Sequence, residues 1–290
     1  MSGATGEGRF RATILGCGSS GGVPRVGGVD GRGDWGTCDP AEPKNRRTRC
    51  SLLVERAHPV DGFARQSVTA AAIDTSPDFR AQMLANGVQH LDGVALTHDH
   101  ADQTHGLDDL RAFATRSRKR VPVWLDRSTS GGVIERFRYC FEQAKGSWYP
   151  AILDELPIPI DGAAFEIPGP AGPIPMTPFL QKHGPVNSLG FRIGDLAYSS
   201  DVNGLPPDSF DRLAGVRIWI VDALQIPPHG THANLEMTLR WIEAVKPERA
   251  ILTNLHVTMD YWTLAKSLPR GVEPAFDGLQ IEFSADLYSP

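Results

Sequence analysis

The run His98-Asp99-His100-Ala101-Asp102 constrains this chain more than any other stretch. It follows Val94–Thr97, a short apolar segment of the kind that forms a buried strand. In extended backbone alternate side chains point to one side, so His98, His100 and Asp102 converge just past a strand end. Two imidazoles and a carboxylate are ligands preferred by zinc and similar divalent ions. The chain is therefore expected to carry a metal at a strand end, with further ligands drawn from other strands.

Candidates for those ligands follow in order. His183 stands in Lys182-His183-Gly184, Asp201 in Tyr198-Ser199-Ser200-Asp201, and His256 in Thr253-Asn254-Leu255-His256. Each lies at or just beyond a predicted strand. In this half the apolar segments Met176–Leu180, Leu189–Ile193, Leu196–Ser199, Val216–Ala223 and Arg249–Leu255 read as strands, with Gly194-Asp195 as a hairpin turn. Earlier strands are expected at Arg11–Leu15, Ser51–Glu55 and Val68–Asp74. Helices are expected from Ser76-Pro77-Asp78 onward, over Leu107–Thr115 and Ser128–Glu142, and over Asn234–Val245, where Leu235, Leu239, Ile242 and Val245 recur at helical spacing. Strands dominate both halves with helices between them, the pattern of packed sheets with helices outside.

No linker-like stretch divides the 290 residues, and a single domain over 1–290 is expected. The formal net charge of −5 gives the whole molecule no general attraction to a polyanion or an anionic membrane, so nucleic acid is not expected as a partner, although a local basic patch remains open. No apolar run approaches the roughly 20 residues that span a bilayer. The N-terminal residues MSGATGEGRFRAT hold no apolar core of a secretory signal, which makes a cytoplasmic location the expectation. Cys17, Cys38, Cys50 and Cys140 are widely spaced and are expected as free thiols. The oligomeric state is open, a homodimer included.

With Asp74 in Ile73-Asp74-Thr75 placed first, the series Asp74, His98-x-His100-x-Asp102, His183, Asp201, His256 resembles the motif order of the metallo-β-lactamase superfamily over about residues 10 to 285. The phrases Gly16-Cys17-Gly18-Ser19-Ser20-Gly21 and Ile73-Asp74-Thr75-Ser76-Pro77-Asp78-Phe79-Arg80 are similar to its phosphodiesterase branch, which includes the phosphoribosyl 1,2-cyclic phosphate phosphodiesterase and, more distantly, the tRNA 3′-processing nucleases. The resemblance implies an α/β fold, an αββα sandwich of two facing mixed β-sheets with helices on the outer faces, whose ligands meet at one edge. It implies two divalent ions, Zn²⁺ or Mn²⁺. His98, His100 and His183 would hold the first, Asp102 and His256 the second, and Asp201 would bridge them. The family places a histidine directly after the motif aspartate; here Gln103 stands there, a neutral and weaker candidate ligand. The branch enzyme's structural zinc, built from clustered cysteines, is not expected from Cys38 and Cys50 alone.

The implied function is hydrolysis of a small cyclic or nucleotide-like phosphodiester through a metal-bound hydroxide, with Asp102 helping to orient the nucleophile. The alternatives are a tRNA 3′-processing type of nuclease and a non-catalytic metal-dependent binding or carrier protein of the coenzyme-biosynthesis branch. A leaving oxygen needs a proton or a positive partner. His232, in Gly230-Thr231-His232 just before a helix, is the candidate, and His229 competes with it for contact with substrate. Arg46 and Arg47, in the most basic stretch of the N-terminal loop, are candidate substrate contacts, whereas Arg111 is expected to pair with a neighbouring aspartate. Gly16-x-Gly18-x-x-Gly21 lacks the following helix of a dinucleotide fingerprint and is read as a wall of the metal site.

Overall fold

A computed structural model describes residues 7–159 and 162–286. Strands β1 (Glu7–Gly16), β2 (Ser51–Arg56), β3 (Thr69–Ile73), β4 (Gly93–Ala95), β5 (Val121–Leu125) and β6 (Leu153–Pro157) come first in the chain. They are followed by β7 (Phe165–Ile167), β8 (Ile174–His183), β9 (Val186–Ile193), β10 (Leu196–Ser199), β11 (Ile218–Asp222), β12 (Arg249–Thr253), β13 (Val272–Pro274) and β14 (Gln280–Asp286). The helices are α1 (Phe79–Asn86), α2 (Ala101–Thr104), α3 (Arg111–Ser117), α4 (Arg127–Phe141), α5 (Pro207–Leu213), α6 (Leu235–Val245) and α7 (Tyr261–Ser267).

The strands form two seven-stranded mixed sheets, in the orders β14-β1-β2-β3-β4-β5-β6 and β13-β12-β11-β10-β9-β8-β7. This is the expected class, two mixed sheets with helices. Backbone contacts divide the chain into two compact units, each assembled from separate segments: residues 1–13, 51–177 and 281–290 in the first, 14–50 and 178–280 in the second.

In the first unit β3, β4 and β5 run parallel, with Ala72 opposite Val94 and Ala95 opposite Trp124. Parallel strands are covered on both faces and therefore read as unbroken apolar runs; every residue of β3 and β4 is buried. The C-terminal ends of adjacent parallel strands lie side by side, which sets Asp74, after β3, beside the segment after β4. Helix α4 starts under Asp126, whose carboxylate accepts the N–H groups of Ser128 and Thr129. The helix expected from Ser76 begins at Phe79 instead, with Asp78 at its N-cap.

In the second unit β10, β11 and β12 are parallel and β9 joins β10 as an antiparallel hairpin across Gly194-Asp195. Gly194 takes a φ of 54°, as the turn requires. The core gathers Phe179, Trp219, Val221, Leu252 and Leu264, with Leu235 and Ile242 of α6 packed against it. Asn234 caps α6 by accepting the N–H of Met237. No helix among the described residues is long and apolar enough to cross a membrane.

Candidate functional site

Three strand ends carry the same unusual backbone. Asp74 after β3, Asp201 after β10 and Asn254 after β12 have φ values of 63°, 52° and 62°. Asp and Asn tolerate this left-handed region better than other non-glycine residues, and such strain concentrates at functional positions.

In the first unit, Asp74 anchors the histidine run. Its carboxylate accepts the Thr97 N–H at 2.8 Å and the Thr97 hydroxyl at 2.9 Å. With its one proton committed to Asp74, the Thr97 oxygen can only accept from His98 Nδ1, 3.0 Å away. His98 is thereby held in the tautomer that leaves Nε2 as its donor atom to a metal. The His98 and His100 rings stand edge to face with centroids 4.5 Å apart. His100 closes the run at the N-cap of α2, and Asp102 lies in the first turn of that helix. Gln103 is buried, and its carbonyl accepts the Thr75 N–H at 2.7 Å, which ties α2 to the Asp74 loop. Gly106 permits this closeness, since a Cβ there would lie 2.2 Å from the Ser76 carbonyl oxygen. Asp99 points away to Arg136 of α4, at 2.8 Å. His105 is exposed and stacks edge-on against Phe137. Arg111 pairs with Asp108 as expected.

In the second unit a second group of donors converges. His183 ends β8, and its Nδ1 donates to the Thr231 carbonyl at 2.7 Å. Its Nε2 therefore faces Asp201, 3.9 Å from Oδ1. His232 Nε2 is 3.8 Å from the same oxygen. The other His232 nitrogen, Nδ1, is 2.8 Å from Oδ2 of Asp222. Asp222 is fully buried at the end of β11 and also accepts the Val202 N–H at 3.1 Å. Burial pushes its carboxyl up to about 6, with His232 pulling in the opposite direction. An ionised carboxylate is acceptor-only, so His232 Nδ1 carries the proton toward Asp222 and Nε2 is the atom turned to Asp201 and His183. The donor atoms of His183, Asp201 and His232 all lie within 4.8 Å of one another. His183 and Asp201, both buried, fit a divalent ion such as Zn²⁺ or Mn²⁺, and His232, held from behind by Asp222, stands beside them.

The structure corrects one expectation here, that of Arg47. His256, expected as the final ligand, accepts the Thr258 N–H on Nδ1 at 3.2 Å and meets the Thr258 hydroxyl at 2.9 Å. It follows the group formed by His183, Asp201 and His232 in the chain and lies outside that tight cluster. Asn254, two residues before His256 and buried, lies behind His232, with Nδ2 3.4 Å from Asp222 Oδ2 and 3.2 Å from His232 Nδ1. Arg47, expected to meet substrate, is buried and donates to Asn45 Oδ1 at 3.1 Å, while its backbone pairs with Val23. Arg46 is exposed, with its guanidinium over the Trp35 ring. His229 is exposed, its ring centroid 5.3 Å from that of His232, and partial burial lowers its pKa. The glycine-rich loop packs where Asn254 and His256 emerge, since Gly18 bridges both Arg49 and Leu255 and the Leu255 N–H donates to the Cys17 carbonyl at 2.8 Å. A Cβ on Gly18 would lie 2.9 Å from the Arg47 carbonyl oxygen, which explains the glycine.

Sequence reasoning missed Asp222 and Asn254. The signal for Asp222 was a lone carboxylate closing the apolar run Ile218-Trp219-Ile220-Val221, a position that a buried strand gives to a charge only for a reason. Asn254 offered no comparable signal, because the histidine two residues later drew the assignment.

Residues 71–254 match the family model of the beta-lactamase superfamily domain. The chain belongs to the metallo-β-lactamase superfamily. Among solved members of this fold, a diphosphatase from the PhnP family superposes with a TM-score of 0.80 at 30% identity, over 96% of this chain and 99% of that one. Zinc-bound PqqB from Methylobacterium extorquens is similar at a TM-score of 0.68 and 18% identity, over 93% and 99% of the two chains, which shows the metallo-β-lactamase fold alone. A curated relative, an octanoyltransferase of Porphyromonas gingivalis, is 27% identical over 93% of this chain. The chain spans 51% of that protein's length.

Proposed function

We propose that this metallo-β-lactamase hydrolase is a phosphodiesterase of the PhnP-like branch, acting on a small cyclic or nucleotide-like phosphodiester. The proposed ligands for its divalent ions, Zn²⁺ or Mn²⁺, are His98, His100 and Asp102, with Gln103 as a weak contributor, in the first unit, and His183, Asp201 and His256 in the second. A bound ion supplies positive charge to phosphoryl oxygens and acidifies water.

The observation that carries the reading is the Asp222–His232 pair. With Nδ1 committed to Asp222, His232 presents Nε2 beside the carboxylate of Asp201, where it can hold a phosphate oxygen or pass a proton to a departing alkoxide. Asp222 acts through His232 as a positioning residue and stabilises its protonated form. His229, exposed next to it, is placed to meet the substrate's outer portion. The likeness to the PhnP-family diphosphatase supports a phosphorus-centred ester or anhydride over other hydrolase substrates.

The test pairs kinetics with elemental analysis. His232→Ala should keep its metal and lose ~10²–10⁴-fold in kcat on an unactivated phosphodiester, the usual worth of general acid–base catalysis. A nitrophenyl ester, whose leaving group needs no proton, should suffer much less. Asp201→Asn should lose metal and both activities. Equal wild-type rates for His232→Ala on both substrates would refute the role of His232.

A further inference from the structure

The mean charge of this chain hides a strong segregation. Residues 111–145 hold nine Lys or Arg against three Asp or Glu, a net of +6 in a molecule of net −5. Three of these cations are paired among the described residues: Arg111 with Asp108, Arg120 with Asp154, and Arg136 with Asp99. The other six are exposed and take part in no ion pair there: Arg127 starts α4, and the remaining five are Arg116, Arg118, Lys119, Arg138 and Lys145.

Topology puts these five at one end of the first unit. Arg116 is in the last turn of α3, and Arg118 and Lys119 lead into β5. Helix α4 runs back along β5, so its last turn, with Arg138 and Tyr139, returns to the level where β5 begins. Two hydrogen bonds confirm the level: Ile152 donates to the Cys140 carbonyl at 2.8 Å, and Val121 to the Ile152 carbonyl at 2.9 Å. The loop from α4 to β6 therefore emerges beside the α3–β5 junction. It carries Lys145, Trp148 and Tyr149. Trp148 is 96% exposed, Tyr149 76% and Tyr139 52%. A shallow cavity of about 330 Å³, lined by Arg111, Tyr139, Ser147 and Tyr149, lies between the two tyrosines. Because β4 and β5 are parallel, this end lies opposite the strand ends from which His98 and His100 emerge.

We propose that the α3–β5 junction and the α4–β6 loop form a binding surface for single-stranded nucleic acid. Unpaired cations track a phosphate backbone, and exposed planar rings accept the faces of unstacked bases. The chemistry favours this partner over an anionic membrane. All three large apolar side chains exposed in this stretch are aromatic rings, two of them tyrosines. An interfacial anchor is an amphipathic helix with a continuous apolar face, whereas two of these three rings stand in the loop after α4 and no exposed leucine or isoleucine accompanies them. The net charge of −5, which speaks against a polyanion, is an average over the whole chain that conceals this basic end.

The experiment is fluorescence anisotropy of labelled single-stranded DNA and RNA of about 12 nucleotides, titrated with the whole protein at several NaCl concentrations. Five phosphate contacts predict a log–log salt slope of about −3.5. The triple variant Arg116→Glu/Arg118→Glu/Lys119→Glu should abolish binding, and Trp148→Ala should weaken it about 10-fold, with Trp148→Phe restoring most of the loss. All three variants should keep the wild-type melting temperature and the wild-type rate on a small nitrophenyl phosphodiester, because these side chains lie outside the proposed catalytic groups. The binding result stands or falls without regard to which ester the enzyme cleaves. Absence of oligonucleotide binding at about 50 mM NaCl would overturn the proposal, as would a charge-reversal variant that binds like the wild type. Binding to phosphatidylserine vesicles without binding to oligonucleotide would also overturn it and give the surface to a membrane. Equal affinity for heparin together with no effect of Trp148→Ala would reduce it to bare charge and overturn the stacking role.

Discussion

Single carboxylates decide much of the second unit's chemistry, and Asp277 offers a test free of metal. It is half-buried and accepts the N–H and the hydroxyl of Thr48, each at 2.7 Å, and the N–H of Cys17 at 3.1 Å. Burial nevertheless dominates these hydrogen bonds and pushes its carboxyl up to about 6 from an ordinary value of 3.8. Between those values the folded chain holds a proton that the unfolded chain has released. Stability from this group therefore rises as pH falls from 6 toward 4, and is lost as pH rises through 6. Asp277→Asn removes the titration. The melting-temperature difference, wild type minus variant, should grow as pH is lowered from 7 to about 4.5. A constant difference across that range would show that Asp277 titrates normally. Asp222 is shifted in the same direction, but it braces His232, and a bound cation nearby would favour its ionised form.

At the scale of elements, the segment linking β4 to α2 is rigid because a neighbouring strand end holds it. Asp74 grips Thr97 through backbone and hydroxyl, and Thr97 orients His98. Thr97→Val keeps the shape and deletes the relay. It should lower metal affinity by ~10–100-fold, the usual penalty for a lost bracing group, and destabilise the apoprotein by about 1–3 kcal/mol through the hydroxyl hydrogen bond lost at the buried Asp74 carboxylate. Calorimetric titration with Zn²⁺ and a denaturant melt read the two effects separately. Unchanged metal affinity would mean that the Asp74–Thr97 contact is scaffolding only.

The same element shows what was legible beforehand. Val94–Thr97 and the turn after it were readable, since an apolar strand running into alternating ligands leaves few other foldings. The parallel strands β3, β11 and β12 were readable for the same reason, being continuous apolar runs. The hairpin at Gly194-Asp195 and the helix after Asn234 followed from local turn and cap chemistry. By contrast β6, Leu-Asp-Glu-Leu-Pro, is a partly exposed strand at one sheet's border, and its polarity conceals it. Strands β7 and β13 are only three residues each, too short to show a period. The site followed the same division. His98, His100, His183 and Asp201 announce themselves by residue type at strand ends. Asn254 stayed hidden, because a left-handed backbone angle at a strand end leaves no mark in residue spacing.

On the scale of the whole molecule, the first unit is closed by residues from both ends of the described chain. Strand β14 borders β1 in the sheet, where Arg9 meets Glu282 at 3.2 Å and the Phe10 and Phe283 rings stack with centroids 5.5 Å apart. Ile281, Phe283 and Ala285 are buried. Ending the chain after Leu279 should therefore uncover apolar area worth several kcal/mol at about 25 cal/mol per Å². It should also bare the backbone edge of β1, which invites pairing between molecules. Size-exclusion chromatography of the shortened chain should show aggregates in place of the full-length peak; a monodisperse shortened protein would show that β14 is dispensable. The arrangement also governs how the polypeptide is made. On a ribosome β1 emerges well before its neighbour β14, so this sheet completes only after the whole stretch between the two strands has been synthesised. Until then a nascent β1 carries an unsatisfied border, and the closure it awaits spans a long loop, which is slow for entropic reasons. Such a chain gains most from folding helpers that shield an exposed strand during translation, and its yield on expression should depend on them more than its final stability does.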